Sequence, residues 1–371
     1  MIWTRKTVMK PHTFETNEVW EREEEGKRID YPIHVLMGKK TNLIGLKKDI
    51  ISGIKKNLEY YKRTRTELYS GDDLEEVGEC MVTGIATSET KEVANIYGAR
   101  YVQTPDTGHV YVRYRPTKSA INNFYLNNIT YAATYTNKET AEFRLNSIAV
   151  PWRDWMVKTY QSIHGRAPKK VLDVGSGAGH FVEACRRDGM DAHGIELSES
   201  SREFARNTWG LELDGSDFLD TTEYLDYDVV TFWGLLEHTP NPKQILAKAY
   251  DVLSKISGMV ISKLPRWDSL SSASQRVNPD TIIRHIDPMG HIMLFSDASA
   301  AELYVQSNFA PKTAWYYGMD VYETLLQVGN NLGVYDCLTQ TGDLQMELQQ
   351  FIDEARFSDG ICLVGVPQDN D

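Results

Sequence analysis

Residues 171–180, VLDVGSGAGH, decide the fold class of this chain. An apolar run carries an acid, Asp173, and three glycines follow at two-residue spacing, Gly175, Gly177 and Gly179, before HFVEACRR reads as a helix. A strand that turns into a helix through glycines lets a ligand approach the backbone, because glycine takes positive φ with no Cβ in the way. Outward from the turn the pattern repeats: short apolar runs (KKVLDVG, DAHGIEL, YDVVTFWG, GMVISKLP) alternate with helical stretches (HFVEACRRDG, SESSREFARNTWG, PKQILAKAYDVLS). Such alternation predicts an α/β fold, a doubly wound and mostly parallel sheet covered on both faces. That domain is expected over residues 150–371, broken by a polar insertion at 266–295.

Upstream the pattern differs. TNLIGLKKDIISGIKKNLEYYKRTRTELY places Leu43, Leu46, Ile50, Ile51, Ile54 and Leu58 at helical spacing, with Lys47, Lys48, Lys55, Lys56 and Lys62 largely opposite. Residues 1–75 are therefore read as a helical extension with a basic face. In IYGARYVQTPDTGHVYVRYRP, β-branched and aromatic residues alternate around a turn at Pro105–Gly108. Residues 76–149 are read as a small α+β module followed by a helical linker.

Composition narrows the function. A formal charge of −12 opposes a general grip on nucleic acid. Cys80, Cys185, Cys337 and Cys362 contain no CxxC pair, which argues against a disulfide framework or zinc knuckle and for a reducing cytoplasm. Neither an export signal nor a membrane span is expected, since no long apolar run occurs.

The glycine turn itself is selective. A dinucleotide fingerprint puts its third glycine three residues after the second, whereas here the spacing is two and His180 follows. A triphosphate loop needs Lys then Ser or Thr, and GHFVE supplies neither. Glu196, 21 residues beyond Gly175 and after the next strand, is placed to accept both hydroxyls of a ribose. Asp173 repels a pyrophosphate and attracts an ammonium or sulfonium. The ligand implied is a positively charged nucleoside, with Asp217 accepting from an adenine amine and Phe218 offering an apolar edge at the end of a third strand.

With WGLLEHTPNP after the fourth strand, residues 170–265 resemble the class I S-adenosylmethionine-dependent methyltransferases, in the subgroup of ubiquinone-type and sugar-modifying enzymes. The resemblance implies a seven-stranded Rossmann-like sheet and S-adenosyl-L-methionine as cofactor. It puts Asp173, Gly175, Ser176, Gly177, Gly179, Glu196, Leu197, Asp217, Phe218, Trp233 and Leu235 on the cofactor. Glu237 and His238 would face cofactor and substrate, and GHIMLFSDASAAELYVQSNF would bring His291 and Phe295 near the acceptor. FSDGICLVGVP matches the family's terminal antiparallel strand. Residues 80–135 resemble the small amino-terminal module of sugar C-methyltransferases, without its cysteine pairs, so no metal is expected there.

Three candidate roles remain. His238 is the expected general base, with Glu237 and His291 beside it, because histidine titrates near neutral pH. Arg144, Arg153, Arg266 and Trp267 are candidate clamps for an anionic or sugar-bearing acceptor. His285 and Asp287, with His291, have metal-ligand chemistry in RHIDPMGH but are read as substrate contacts, since methyl transfer requires no metal. The expected activity is methyl transfer to oxygen or carbon of a small molecule, first choice a sugar or nucleotide-linked sugar. The alternatives are an NAD-dependent oxidoreductase, disfavoured by glycine spacing and Asp173, and a non-catalytic scaffold using the basic helix. Homo-oligomerisation is left open.

Overall fold

The computed structural model describes residues 2–6, 14–39, 54–121, 136–279, 285–335, 338 and 340–368. Its main sheet contains β9 (Lys170–Val174), β10 (Asp191–Ile195), β11 (Val229–Trp233), β12 (Met259–Pro265), β14 (Phe309–Tyr316) and β15 (Gly360–Pro367). Three amino-terminal strands join it: β1 (Ile2–Lys6), β2 (Glu15–Glu24) and β3 (Lys27–Met37). The order is β1-β2-β3-β14-β15-β12-β11-β9-β10. β9, β10, β11 and β12 are mutually parallel, β15 is antiparallel to β12 and β14, and β3 runs parallel to β14. The carboxyl ends of β3, β14, β12, β11, β9 and β10 therefore share one rim.

Strand periodicity splits the core into two layers, because successive side chains of a strand face opposite sides. Leu172, Val174, Val230, Phe232, Val260 and Leu264 pack on one face with the helices Pro242–Leu253 and Asp297–Val305. Val171, Val229, Met259, Ile261 and Val364 pack on the other with Val150–His164 and His180–Arg187. The doubly wound α/β reading holds, and the terminal strand FSDGICLVGVP is β15, antiparallel as expected.

Two expectations are corrected. Among the described residues the sheet has nine strands where seven were expected, and the third strand of the alternating pattern shrinks to one bridge between Ile195 and Asp214. Residues 211–217 carry Gly215, and Asp214 spends its carboxylate on Tyr224 Oη at 2.5 Å and the Ser216 amide at 2.8 Å, so the segment turns rather than extends. The amino-terminal extension is also not simply helical. In β3 the alternation Tyr31, Ile33, Val35, Met37 is buried, a period of two against β14. β2 is tied down by buried ion pairs: Arg22 Nε donates to Glu302 at 3.0 Å, and Arg356 forks onto Glu18.

A helix does span Ile54–Ser70, while Leu43, Leu46, Lys47, Lys48, Ile50 and Ile51 lie outside the described residues. Its Arg65 is buried, donating through Nε and Nη2 to Asp287 at 3.2 and 3.1 Å, which gives one side of the helix a packed, structural face. The small module forms a second sheet of β5 (Lys91–Ile96), β6 (Ala99–Gln103), β7 (Val110–Val112) and β13 (Met293–Leu294), the last supplied by the insertion. The expected turn at Pro105–Gly108 joins β6 to β7. Cys80, Cys185 and Cys362 are buried free thiols, and Cys337 lies outside the described residues.

Candidate active site at the carboxyl rim of the sheet

The crevice opens between β9 and β11, where the chain leaves β9 toward one side and returns on the other. In open α/β sheets ligands bind at such a switch point. Asp173 on β9 accepts from Thr231 Oγ1 on β11 at 2.7 Å across it. Burial raises the Asp173 carboxyl to about 7; the Thr231 bond opposes that and the Glu196 charge adds to it.

Above Asp173 the glycine turn takes the form its residues demand. Gly175, Gly177 and Gly179 have φ of 72°, 53° and 75°. The Gly175 and Ser176 amides donate to Ile195 O at 2.9 and 3.0 Å. Glu196 lies under the turn, accepting from the Gly177 amide at 2.8 Å through one oxygen and from the Ser198 amide at 2.7 Å through the other. Each oxygen keeps a lone pair for an incoming hydroxyl.

A Cβ built on Gly177 would meet no atom within 4 Å, so the turn faces open space; at Gly175 it would press on Leu235 at 3.1 Å. Trp233 stacks on Trp152 at 4.3 Å, and its buried Nε1 has no hydrogen-bond partner among the described residues. These features fit an adenosine-bearing cation: a bare backbone turn, a carboxylate bonded to it with lone pairs to spare, and a second buried carboxylate close by.

A second cluster stands beside the turn. Glu237 and His238 lie in the 3-10 turn Leu236–His238 after β11. Glu237 Oε1 is 3.9 Å from Nε2 of His238 and 3.9 Å from Nε2 of His291, and the two imidazole rings are 5.2 Å apart. Glu237 is buried, which raises its carboxyl, while His238 and Lys263 pull it down; among the described residues its Oε2 has no hydrogen-bond partner. His291 Nδ1 lies 2.6 Å from the His285 carbonyl, which can only accept. In the neutral ring Nδ1 therefore carries the proton and Nε2 is the acceptor, 3.9 Å from Glu237. By residue type, one carboxylate and two imidazoles with donor atoms within 4.8 Å of one another also suit a divalent cation.

The small module holds this cluster in place. Tyr101 Oη donates to the His291 carbonyl at 3.0 Å, the Ile292 amide donates to the Glu237 carbonyl at 3.1 Å, and Met293 pairs with Tyr111 of β7. Neither Tyr101 nor Thr231 stood out in the sequence, because each is recognisable only by what it touches.

Several expected contacts lie elsewhere. Arg266 is buried and spent on structure: Nε donates to Asp297 at 2.9 Å and Nη1 to the Arg356 and Ser358 carbonyls at 2.8 and 2.9 Å. Trp267 is buried in the core of the small module, with Arg276 over its ring. Burial of the His285 ring against the Arg266 carbonyl, 2.7 Å from Nε2, makes it a loop support. Arg153 reaches back to the Ala184 carbonyl and to Asp154 on the helix layer. Phe218 and Phe295 are core residues, packed on Phe232 and His109 respectively. Asp217 caps its own turn through the Leu219 amide, and Leu197 is exposed. Arg144 is largely buried near His180, which its charge and, more strongly, burial hold down at about 4.

The family described as a methyltransferase domain matches residues 152–313. Among curated proteins, the ubiquinone biosynthesis O-methyltransferase of Bordetella avium is 34% identical over 137 residues, 35% of this chain and 55% of that protein. The enzyme of the same name from Azoarcus sp. is 40% identical over 86 residues, 21% of this chain and 37% of its own. The chain thus spans about half the length of the curated relatives it matches. A solved structure, the 1,6-didemethyltoxoflavin-N1-methyltransferase of Burkholderia thailandensis, is similar at 12% identity over 72% of this chain and 99% of its own, with a TM-score of 0.42. Residues 152–313, which carry the glycine turn, Glu196 and the LLEH segment, form a methyltransferase domain of the class I S-adenosylmethionine-dependent kind.

Proposed function

We propose that the rim is the active site of an enzyme that methylates an oxygen of a small-molecule acceptor. The observation that carries this reading is the meeting of Glu237, His238 and His291 beside a glycine turn whose Glu196 has lone pairs to spare. S-adenosylmethionine, when bound, supplies a methyl group on a positive sulfur that departs as a neutral thioether. The chain's own task is to hold the two reactants collinear and dry and to receive one proton. Glu196 takes the ribose, with the amides of the turn and Leu235 lining the approach, and Asp173 provides a negative centre below.

His238 is the base. It takes the acceptor hydroxyl's proton while that oxygen bonds to the methyl carbon, and buried Glu237 stabilises the imidazolium. His291, its neutral tautomer set by the His285 carbonyl, accepts from a hydroxyl of the acceptor through Nε2 and so orients it. Such a proton transfer contributes about 10²- to 10⁴-fold.

For the acceptor, a sugar or nucleotide-linked sugar is the first class to assay, and a phenolic hydroxyl the second, since the named relatives are O-methyltransferases. A cytoplasmic setting belongs to this reading, since the four cysteines contain no CxxC pair. The test is transfer of tritium from labelled methyl donor to panels of nucleotide sugars and catechols. Labelled product that disappears with His238→Ala supports the reading. A chain that binds nicotinamide dinucleotide, shows reduced-nicotinamide absorbance changes and transfers no label defeats it.

A further inference from the structure

The amino-terminal strands do more than widen the sheet. Because β3 runs parallel to β14, its end arrives at the same rim as the glycine turn, and Lys39 stands two residues beyond. The backbone there is fixed: the Gly38 amide donates to the Tyr316 carbonyl at 2.8 Å, and Trp315 Nε1 donates to the Gly38 carbonyl at 3.0 Å. Lys39 Nζ then lies 5.5 Å from the centre of the Trp152 ring and 5.2 Å from that of Tyr317. Trp152 Nε1 donates to Tyr317 Oη at 2.5 Å, and the Trp152 ring stacks on that of Trp233, the last residue of β11. An aromatic wall thus links Lys39 to the crevice.

What the ammonium lacks is a counter-charge. Among the described residues it makes no ion pair. The titratable groups that act on it are Cys362, a thiol that burial pushes up to about 11, and Lys263, a second cation. Burial brings the Lys39 ammonium down to about 7. Lys263 on β12 acts on Glu237 as well as on Lys39, so this cation borders the catalytic cluster. A desolvated cation against ring faces gains some attraction from the rings, but the larger gain available to it is an anion in the same dry space.

We propose that Lys39 is the anion-recognition point of the acceptor pocket, and that the acceptor carries a carboxylate or phosphate that pairs with Lys39 alongside Trp152 and Tyr317 while its hydroxyl faces His238. This rests on the methyltransferase reading and adds the acceptor's charge to it. Lys263 provides the second positive charge, and Asp173 and Glu196 stay on the far side of the crevice with the cofactor. The oxyanion's source is the acceptor; the cofactor's own carboxylate is the competing source, and the two separate experimentally.

The test is calorimetry on the full chain with saturating S-adenosylhomocysteine, using benzoate, phenyl phosphate and neutral benzyl alcohol as probes. At least one of the two anions is expected to bind tenfold or more tightly than benzyl alcohol. Lys39→Met should erase that preference, Lys39→Arg should keep most of it, and S-adenosylhomocysteine affinity should change less than twofold in both. The arginine variant guards against a folding defect at this half-buried site, as does the melting temperature of each. Anions that bind no better than benzyl alcohol to the parent chain overturn the proposal. So does a tenfold loss of S-adenosylhomocysteine affinity in Lys39→Met, which would assign the charge to the cofactor. Failure of the parent to take up S-adenosylhomocysteine at all strikes the methyltransferase reading itself, and this proposal with it.

Discussion

Two buried aspartates, at opposite ends of the same parallel strands, are treated in opposite ways. Asp228, just before β11 at the amino end, collects Tyr160 Oη at 2.9 Å, Arg166 Nη2 at 2.6 Å, and the amides of Lys169 and Lys170 at 2.6 and 3.0 Å. Burial alone would raise its carboxyl, yet those donors, led by Arg166, bring it down to about 2. Asp173, near the carboxyl end of β9, has Thr231 as its hydrogen-bond donor among the described residues, and burial lifts it to about 7. A carboxylate at the amino end is saturated and serves stability, while the one at the carboxyl end is left under-satisfied, a condition that a ligand cation would relieve.

The contrast can be broken or sharpened in four ways. The largest expected effect is at the rim: His238→Ala should cost about 10²- to 10⁴-fold in methyl transfer with S-adenosylhomocysteine affinity and melting temperature unchanged. Repeating the assay after chelation and with added magnesium or zinc sharpens this result. Equal rates support the base reading, whereas activity restored only by metal would reassign Glu237, His238 and His291 as ligands. Next comes Glu196→Ala, expected to weaken S-adenosylhomocysteine by about 1.5–3 kcal/mol, or roughly 10- to 100-fold, in calorimetry.

At the amino end, Asp228→Asn should lower stability by about 2 kcal/mol at neutral pH and leave cofactor affinity alone. The pH dependence follows from the direction of the shift. With a folded value of about 2, below the unfolded 3.8, the stabilisation is present above pH 3.8 and lost as pH falls through 2. Acid melts of the parent should show that loss and those of the variant should not. The smallest effect has the reverse sign. Asp173 ionises with difficulty, so its contribution worsens as pH rises from 3.8 toward 7. Asp173→Asn should raise the melting temperature at pH 8 by about 2 °C while weakening cofactor binding. A fall in melting temperature there, equal to that of Asp228→Asn, would erase the distinction between the two ends.

How much of this was legible in the sequence depended on distance along the chain. The meeting of Gly175, Gly177 and Gly179 with Glu196 could be read because it follows from backbone conformation and from a spacing of one strand, one helix and one strand. Glu237 and His238 were legible for the same reason, standing where β11 ends. Arg266, Trp267 and His285 were misread since an arginine or histidine in a polar stretch looks the same whether it faces a ligand or a carbonyl, and only the Arg356, Ser358 and Arg266 carbonyls decided it. Phe218 and Phe295 show the same limit for aromatic residues. The amino-terminal strands carried a visible signal, the alternation of Tyr31, Ile33, Val35 and Met37, which was outweighed by the longer helical pattern beside it.

Local matters were written in the sequence: the strand and helix periods, the glycine turn with its positive φ, and the exclusion of a triphosphate at that turn by the absence of Lys and Ser or Thr after it. Tertiary structure alone decided which distant groups meet. It brought Lys39 to the rim, set Tyr101 behind His291, closed Arg65 on Asp287, and gave Asp228 four donors where Asp173 has one. The reason is physical. Backbone preference and periodicity act over a few residues and are written in neighbouring side chains, whereas desolvation and pairing of charge depend on what the folded chain carries into the same dry space.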